Sequence, residues 1–146
     1  MTKRRTGEPW MPAPDYGQSL KGLTVNLIVR SVPDSLPFHT QVLGARVVYS
    51  DPDFAVLRRD DAEWMLHSDH TYDRHPLSAS LKPDIARGIG AELRVHGCDP
   101  DRAEIKAREL GFAVLARAED KPHGLREAYL VDGDGYVWVP DVALRK

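Results

Sequence analysis

One plan of strands and a helix is written twice along this chain, and that duplication narrows the folds open to it. The first copy reads as a strand over residues 23–29, a helix from Asp34 or Ser35 to about Leu43, and short strands over 45–50, 54–58 and 63–66. The second reads as a strand over 91–96, a helix over 101–110, and strands over 112–116, 128–131 and 136–139. Runs of β-branched, aromatic and other apolar residues, separated by Asp, Gly and Pro turns, carry the strands. Each helix ends on a Leu-Gly pair, Leu43-Gly44 and Leu110-Gly111, with the glycine placed as its C-cap. Asn26 precedes the first pair by 17 and 18 positions, and Glu92 precedes the second by 18 and 19. Two βαβββ units in tandem predict an α+β protein.

The last two strands are the clearest local structure. Asp132-Gly133-Asp134-Gly135 lies between them and supplies the positive-φ positions of a tight hairpin. Pro140 has no N–H for a ladder, so it is expected to end the second strand or to mark a bulge. Pro37 is expected in the first turn of its helix, where a missing N–H costs little. Together these elements give one domain over 23–141, with repeats at 23–70 and 91–141 and a linker at 71–90 broken by Pro76, Pro83, Gly88 and Gly90. Residues 142–146 form a tail. Residues 1–22 read as an extended arm, because Pro9, Pro12 and Pro14 oppose a helix. Its Trp10, Met11 and Tyr16 suit docking on the domain or on a second subunit, the alternative being a disordered arm.

With 146 residues the chain is long enough for one buried core, and its net charge of −2 offers no basic excess to a phosphate backbone, so nucleic acid is not expected as a partner. Cys98 is the single cysteine, which excludes an internal disulfide. No apolar run approaches the length of a membrane span, and Lys3-Arg4-Arg5 is not followed by the apolar stretch of a signal peptide. A cytoplasmic protein away from membranes is the expectation.

Residues 126–139 resemble the C-terminal signature of the vicinal oxygen chelate superfamily, which includes glyoxalase I, extradiol dioxygenases, fosfomycin-resistance enzymes and bleomycin-binding proteins. That signature runs from an aromatic strand through Asp-Pro-Asp-Gly and a large apolar residue to a metal-binding carboxylate. Here Gly133 stands in place of the Pro and Val139 in place of the Glu. The resemblance covers about residues 23–141 and implies that the two units curl their mixed sheet into a cup, helices outside and ligand inside, in a homodimer. On that plan Leu23, Val25, Leu27 and Val29 face the helix, and Thr24, Asn26, Ile28 and Arg30 face the cup. Ala91, Leu93 and Val95 likewise pack inward, while Glu92, Arg94 and His96 face the cup.

The metal positions of the superfamily map near Asn26, Trp64, Glu92 and Val139, of which only Glu92 is a good ligand for a divalent cation. Glu92 has two readings. Desolvated in an apolar cup it would approach a general base; paired with Arg94, Arg30 or Arg126 it would stay ionised and structural. His67, His70 and His75 lie close in sequence, but their spacing matches no strong zinc pattern, and they can equally hold a loop together by hydrogen bonds. Phe54, Trp64 and Tyr129 would present flat apolar faces to a planar ligand. The expectation is therefore a metal-independent, bleomycin-resistance-like protein without a cofactor, sequestering a planar or aromatic molecule. Its expected lining is Asn26, Phe54, Trp64, His67, Glu92, Arg94, Arg126, Tyr129 and Val139. The alternative implied by the resemblance is a divalent-metal lyase, isomerase or dioxygenase with Glu92 as its base.

Overall fold

The computed structural model describes residues 2–145 of the chain. The chain divides into two compact units. One holds the residues before Pro37 together with Ala45–Pro83; the other holds Pro37–Gly44 together with the residues from Asp84 on.

The first unit contains α1 (Ala13–Ser19), β1 (Val25–Val29), the start of α2 (Val32–Pro37), β2 (Arg46–Ser50), β3 (Phe54–Arg59) and β4 (Ala62–Ser68). Its sheet has the order β1-β4-β3-β2, with β1 parallel to β4 and the other pairs antiparallel. The second unit contains β5 (Glu92–His96), α3 (Pro100–Glu109), β6 (Ala113–Asp120), β7 (Leu125–Val131) and β8 (Val137–Ala143). Its order is β5-β8-β7-β6, again with the first strand parallel to the last. The α+β fold with a pair of βαβββ units is thus the one the sequence predicts.

Burial follows the pleat. In β4 the residues Trp64, Leu66 and Ser68 are buried on one side, while Glu63, Met65 and His67 alternate onto the other. In the second unit Ala103 and Ala107 of α3 are buried, the small side chains letting the helix approach β7 and β8 closely. Phe38 meets Phe112 edge-on at 5.0 Å and Trp138 at 6.2 Å, which centres an aromatic core there.

Four local expectations are corrected. The arm is not extended throughout: α1 forms, because Pro12 is its N-cap and Pro14 falls in its first turn, where the N–H groups have no helical acceptor. β1 begins at Val25, leaving Leu23 at 93% exposure and not packed toward a helix. α2 begins at Val32, so Pro37 is its last residue and not part of its first turn. The chain then widens into a π-turn over Phe38–Val42, closed by Leu43 N–H to the Phe38 carbonyl at 3.1 Å. Finally, β8 continues through Pro140 to Ala143 without a register shift, although it is flanked by β5 and β7. The φ of proline suits extended backbone, and only one donor is lost from a strand with a partner on each side.

The hairpin turn is held from inside. Asp132 Oδ1 accepts the N–H groups of Asp134, Gly135 and Tyr136 at 2.9–3.1 Å, and Oδ2 accepts the indole N–H of Trp138 at 3.0 Å. Gly135 has φ 99°, and a Cβ there would meet the backbone of Ala86 and Arg87 at 2.8 Å. Among the described residues no helix is long and apolar enough to cross a membrane.

Candidate functional site

In the first unit the arm lies over the sheet face that carries Phe54, Met65 and His67. Tyr16, Phe54 and Val56 form a buried cluster there, with Met11, Leu20, Tyr49 and Met65 packed around it. Trp10 stacks on Tyr49 with ring centroids 4.8 Å apart and planes 23° from parallel. Polar anchors fix the arm as well. Tyr16 donates to Glu63 at 2.8 Å, Thr2 donates to Asp73, and the Arg4 and Arg5 N–H groups donate to the Asp53 carboxylate at 2.7 and 3.3 Å. Of the alternatives the sequence left open for the arm, docking on the domain is the one realised.

Between arm and sheet lies a cavity of about 280 Å³, walled by Trp10, Met11, Tyr16, Phe54 and Met65 and reached by His67. His67 is positioned by three neighbours. Its Nδ1 is 2.6 Å from Asn26 Oδ1; Asn26 Nδ2 donates to the Tyr72 hydroxyl at 2.9 Å; and the imidazole stacks on Phe54 at 5.3 Å and 25°. Burial lowers the pKa of His67, against the opposing pull of Asp51 and Asp53, so the ring is neutral at pH 7. A neutral imidazole carries one proton, and an N···O distance of 2.6 Å suits N–H donation to a carbonyl oxygen better than a contact between two nitrogens. Nδ1 is therefore the protonated nitrogen, and Nε2 keeps its lone pair.

The register brings together some of the expected residues and separates others. Asn26 pairs with Met65 and Ile28 with His67, so these share a face, and Phe54 pairs with His67 on β3. Trp64 pairs with Val25 and Leu57 and points to the opposite side, which corrects its expected place beside Asn26; Met65 occupies that row instead. The three histidines do not converge. His70 Nε2 bonds Asp53 at 2.8 Å, and His75 Nδ1 accepts the Leu77 N–H at 3.1 Å as the cap of a helical turn.

The second unit groups Glu92, Arg94 and Tyr129. Arg94 donates to Glu92 at 2.8 Å and to Glu127, and approaches Asp141 at 3.6 Å, while the Tyr129 hydroxyl lies 3.4 Å from Glu92. The Glu92 side chain is 42% exposed, so of its two readings the ion pair is realised and the apolar enclosure is not. Glu127 is nearly fully buried. Burial works to raise its pKa, but hydrogen bonds from Arg94 and His123 prevail and hold it below the usual carboxylate range. Val139 is buried beside Arg94 on this face. Arg126 departs from expectation: it lies one row over, on the side of α3, and grips Asp101 through two bonds of 2.7 and 2.8 Å.

Of the four residues that the resemblance places at metal positions, two lack a metal-ligating side chain and two have their side chains engaged. Trp64 and Val139 have no donor atom, Asn26 Oδ1 is taken by His67, and Glu92 is paired with Arg94. Among the described residues no three His, Cys, Asp or Glu side chains are grouped so as to hold one.

Sequence reasoning missed Met65 as a wall of this cavity and Tyr72 as the residue that holds Asn26 behind it. The alternation of Glu63, Met65 and His67 against Trp64, Leu66 and Ser68 was the available signal for Met65. Nothing local announces Tyr72, which meets Asn26 across 46 positions.

Neither a protein-family model nor a curated protein matches the chain. Solved structures do. A glyoxalase/bleomycin resistance protein/dioxygenase family enzyme from Burkholderia phytofirmans PsJN is 18% identical, with a TM-score of 0.68 over 83% of this chain and 97% of its own. A glyoxalase/bleomycin resistance protein/dioxygenase from Nocardioides is 20% identical, with a TM-score of 0.61 over 90% and 93%. The fosfomycin resistance protein FosX from Mesorhizobium loti is 17% identical, with a TM-score of 0.59 over 85% and 93%. The fold is thus the one these proteins share.

Proposed function

We propose that this protein binds a planar or aromatic small molecule, without a metal, in the cavity between its N-terminal arm and the first sheet. One observation carries the proposal: aromatic and thioether walls surround a single oriented, neutral imidazole. Cavities of this kind draw affinity from apolar contact and orientation from few polar groups. Two of the residues expected from the sequence, Phe54 and His67, line this cavity, and Asn26 supports it from behind His67. The cluster of Glu92, Arg94 and Tyr129 belongs to the second unit and is not assigned to this ligand.

Uptake of a fluorescent anilinonaphthalene dye by the purified protein tests the reading. Replacing Trp10 by Ala should weaken binding about fivefold, since a ring contact contributes on the order of 1 kcal/mol. Chelator treatment should leave binding unchanged. A requirement for a divalent ion, or indifference to Trp10→Ala and Phe54→Leu together, would overturn it.

A further inference from the structure

We propose that the ligand class of this cavity is a flat aromatic molecule bearing a hydrogen-bond donor, such as a phenolic O–H or a ring N–H, which His67 Nε2 accepts. This rests on the cavity being a ligand site and adds the chemistry of the ligand's polar edge.

Most polar atoms that line the cavity are already committed. Asp53 is held by the Arg4 and Arg5 N–H groups and by His70. The Thr71 hydroxyl donates to the Ser68 carbonyl at 2.8 Å, and the Tyr16 hydroxyl to Glu63 at 2.8 Å. Lys3 and Arg5 have only protons to give. His67 is different, because Asn26 takes its Nδ1 proton and leaves Nε2 as an acceptor with no hydrogen-bond partner among the described residues. Asn26 is itself held by Tyr72, so its amide is oriented to keep the ring in this tautomer. Phe54, stacked on the imidazole, fixes the plane in which that lone pair points.

An aromatic ligand that lacks a donor would cover Nε2 and leave it unsatisfied, which a buried polar atom tolerates poorly. One that has a donor satisfies it. The site therefore selects by the presence of a proton, beyond simple fit of a ring.

The test compares 2-naphthol, neutral at pH 7, with 2-methoxynaphthalene, which keeps the rings and the oxygen but has no proton to donate. Calorimetry on the full chain should show 2-naphthol binding about tenfold more tightly. In His67→Phe, which keeps an aromatic ring beside Phe54, both should bind with similar affinity. In the native protein the ¹⁵N resonance of His67 Nε2 should move on adding 2-naphthol and stay in place with the ether. Equal affinities in the native protein, or a static Nε2 resonance with bound naphthol, would overturn the donor assignment and leave the aromatic cavity standing. If neither compound nor the dye binds, the cavity reading fails and this inference with it.

Discussion

His67 and Asn26 stand on adjacent parallel strands, with the imidazole Nδ1 2.6 Å from the side-chain oxygen of the asparagine. They are diagonal neighbours, since Asn26 pairs with Met65 and His67 with Ile28. Backbone pairing thus fixes the origin of both side chains, and the Tyr72 hydroxyl fixes the far end of the amide. A histidine oriented in this way has its tautomer set by its neighbour.

Asn26→Asp should raise the pKa of His67, now held down chiefly by burial, because a carboxylate against Nδ1 favours the imidazolium. Asn26→Leu should leave it low while freeing the ring to rotate. A proton NMR titration of His67 checks both variants, and an unchanged midpoint in Asn26→Asp would show that the 2.6 Å contact does not exist in solution.

Arg94 does most, with help from His123, to keep Glu127 ionised, and Asp141 lies opposite Glu127 across β7 and β8. Arg94→Met should cost roughly 1–3 kcal/mol at pH 7, less than a fully enclosed pair because the Arg94 side chain is 30% exposed. Without the guanidinium, burial and the facing Asp141 push the Glu127 pKa up, so the variant should recover stability relative to the native protein as pH falls. The second change Glu127→Gln should recover much of the loss at pH 7. Urea unfolding at pH 7 and pH 5 measures this; a deficit that does not shrink toward pH 5 would exclude the stranded carboxylate as its cause.

The βαβββ succession along the chain and the place where each helical segment ends were legible because Leu43-Gly44 and Leu110-Gly111 punctuate two copies of one apolar pattern. The face assignment in β4 was not, since Trp64 and Met65 are both large and apolar, and only the flanking Glu63, Leu66 and His67 tell which parity is buried. The helix in the arm was hidden by prolines whose effect depends on position, being harmful inside a helix and harmless at its start. Glu92 kept two readings because its partner is two residues away on the same strand, and sequence does not say which of three arginines turns toward it.

His39 is 1% exposed, packed edge-on against Trp138 at 5.2 Å, and burial lowers its pKa to about 3. Its folded value lies below the unfolded one, so it contributes stability that is present above about pH 6.5 and is lost as pH falls toward 3. Between pH 6 and pH 5 this term should remove on the order of 1 kcal/mol, since one proton taken up on unfolding is worth about 1.4 kcal/mol per pH unit. His39→Gln should flatten that slope whatever it does to stability at pH 7. Denaturant melts at half-unit pH steps from 7 to 5 decide the matter, and parallel slopes for the two proteins would mean that His39 is accessible to protons in the native state.

Asp132 and Trp138 couple the hairpin turn to the strand after it. In Asp132→Asn one oxygen can still accept the three turn N–H groups, but the amide –NH₂ then faces the indole N–H, donor against donor. The loss should be about 1–3 kcal/mol, in the range for a buried group left unsatisfied. Trp138→Phe removes the indole N–H and with it the clash, so Asp132→Asn should cost about 1 kcal/mol less in that background than in the native protein. Burial of Asp132 raises its pKa while the indole bond opposes the rise, so Trp138→Phe should raise that pKa further. The four proteins of the cycle, compared by urea unfolding at pH 7, give the coupling directly. Additive losses would mean that the 3.0 Å indole contact contributes nothing to holding the turn.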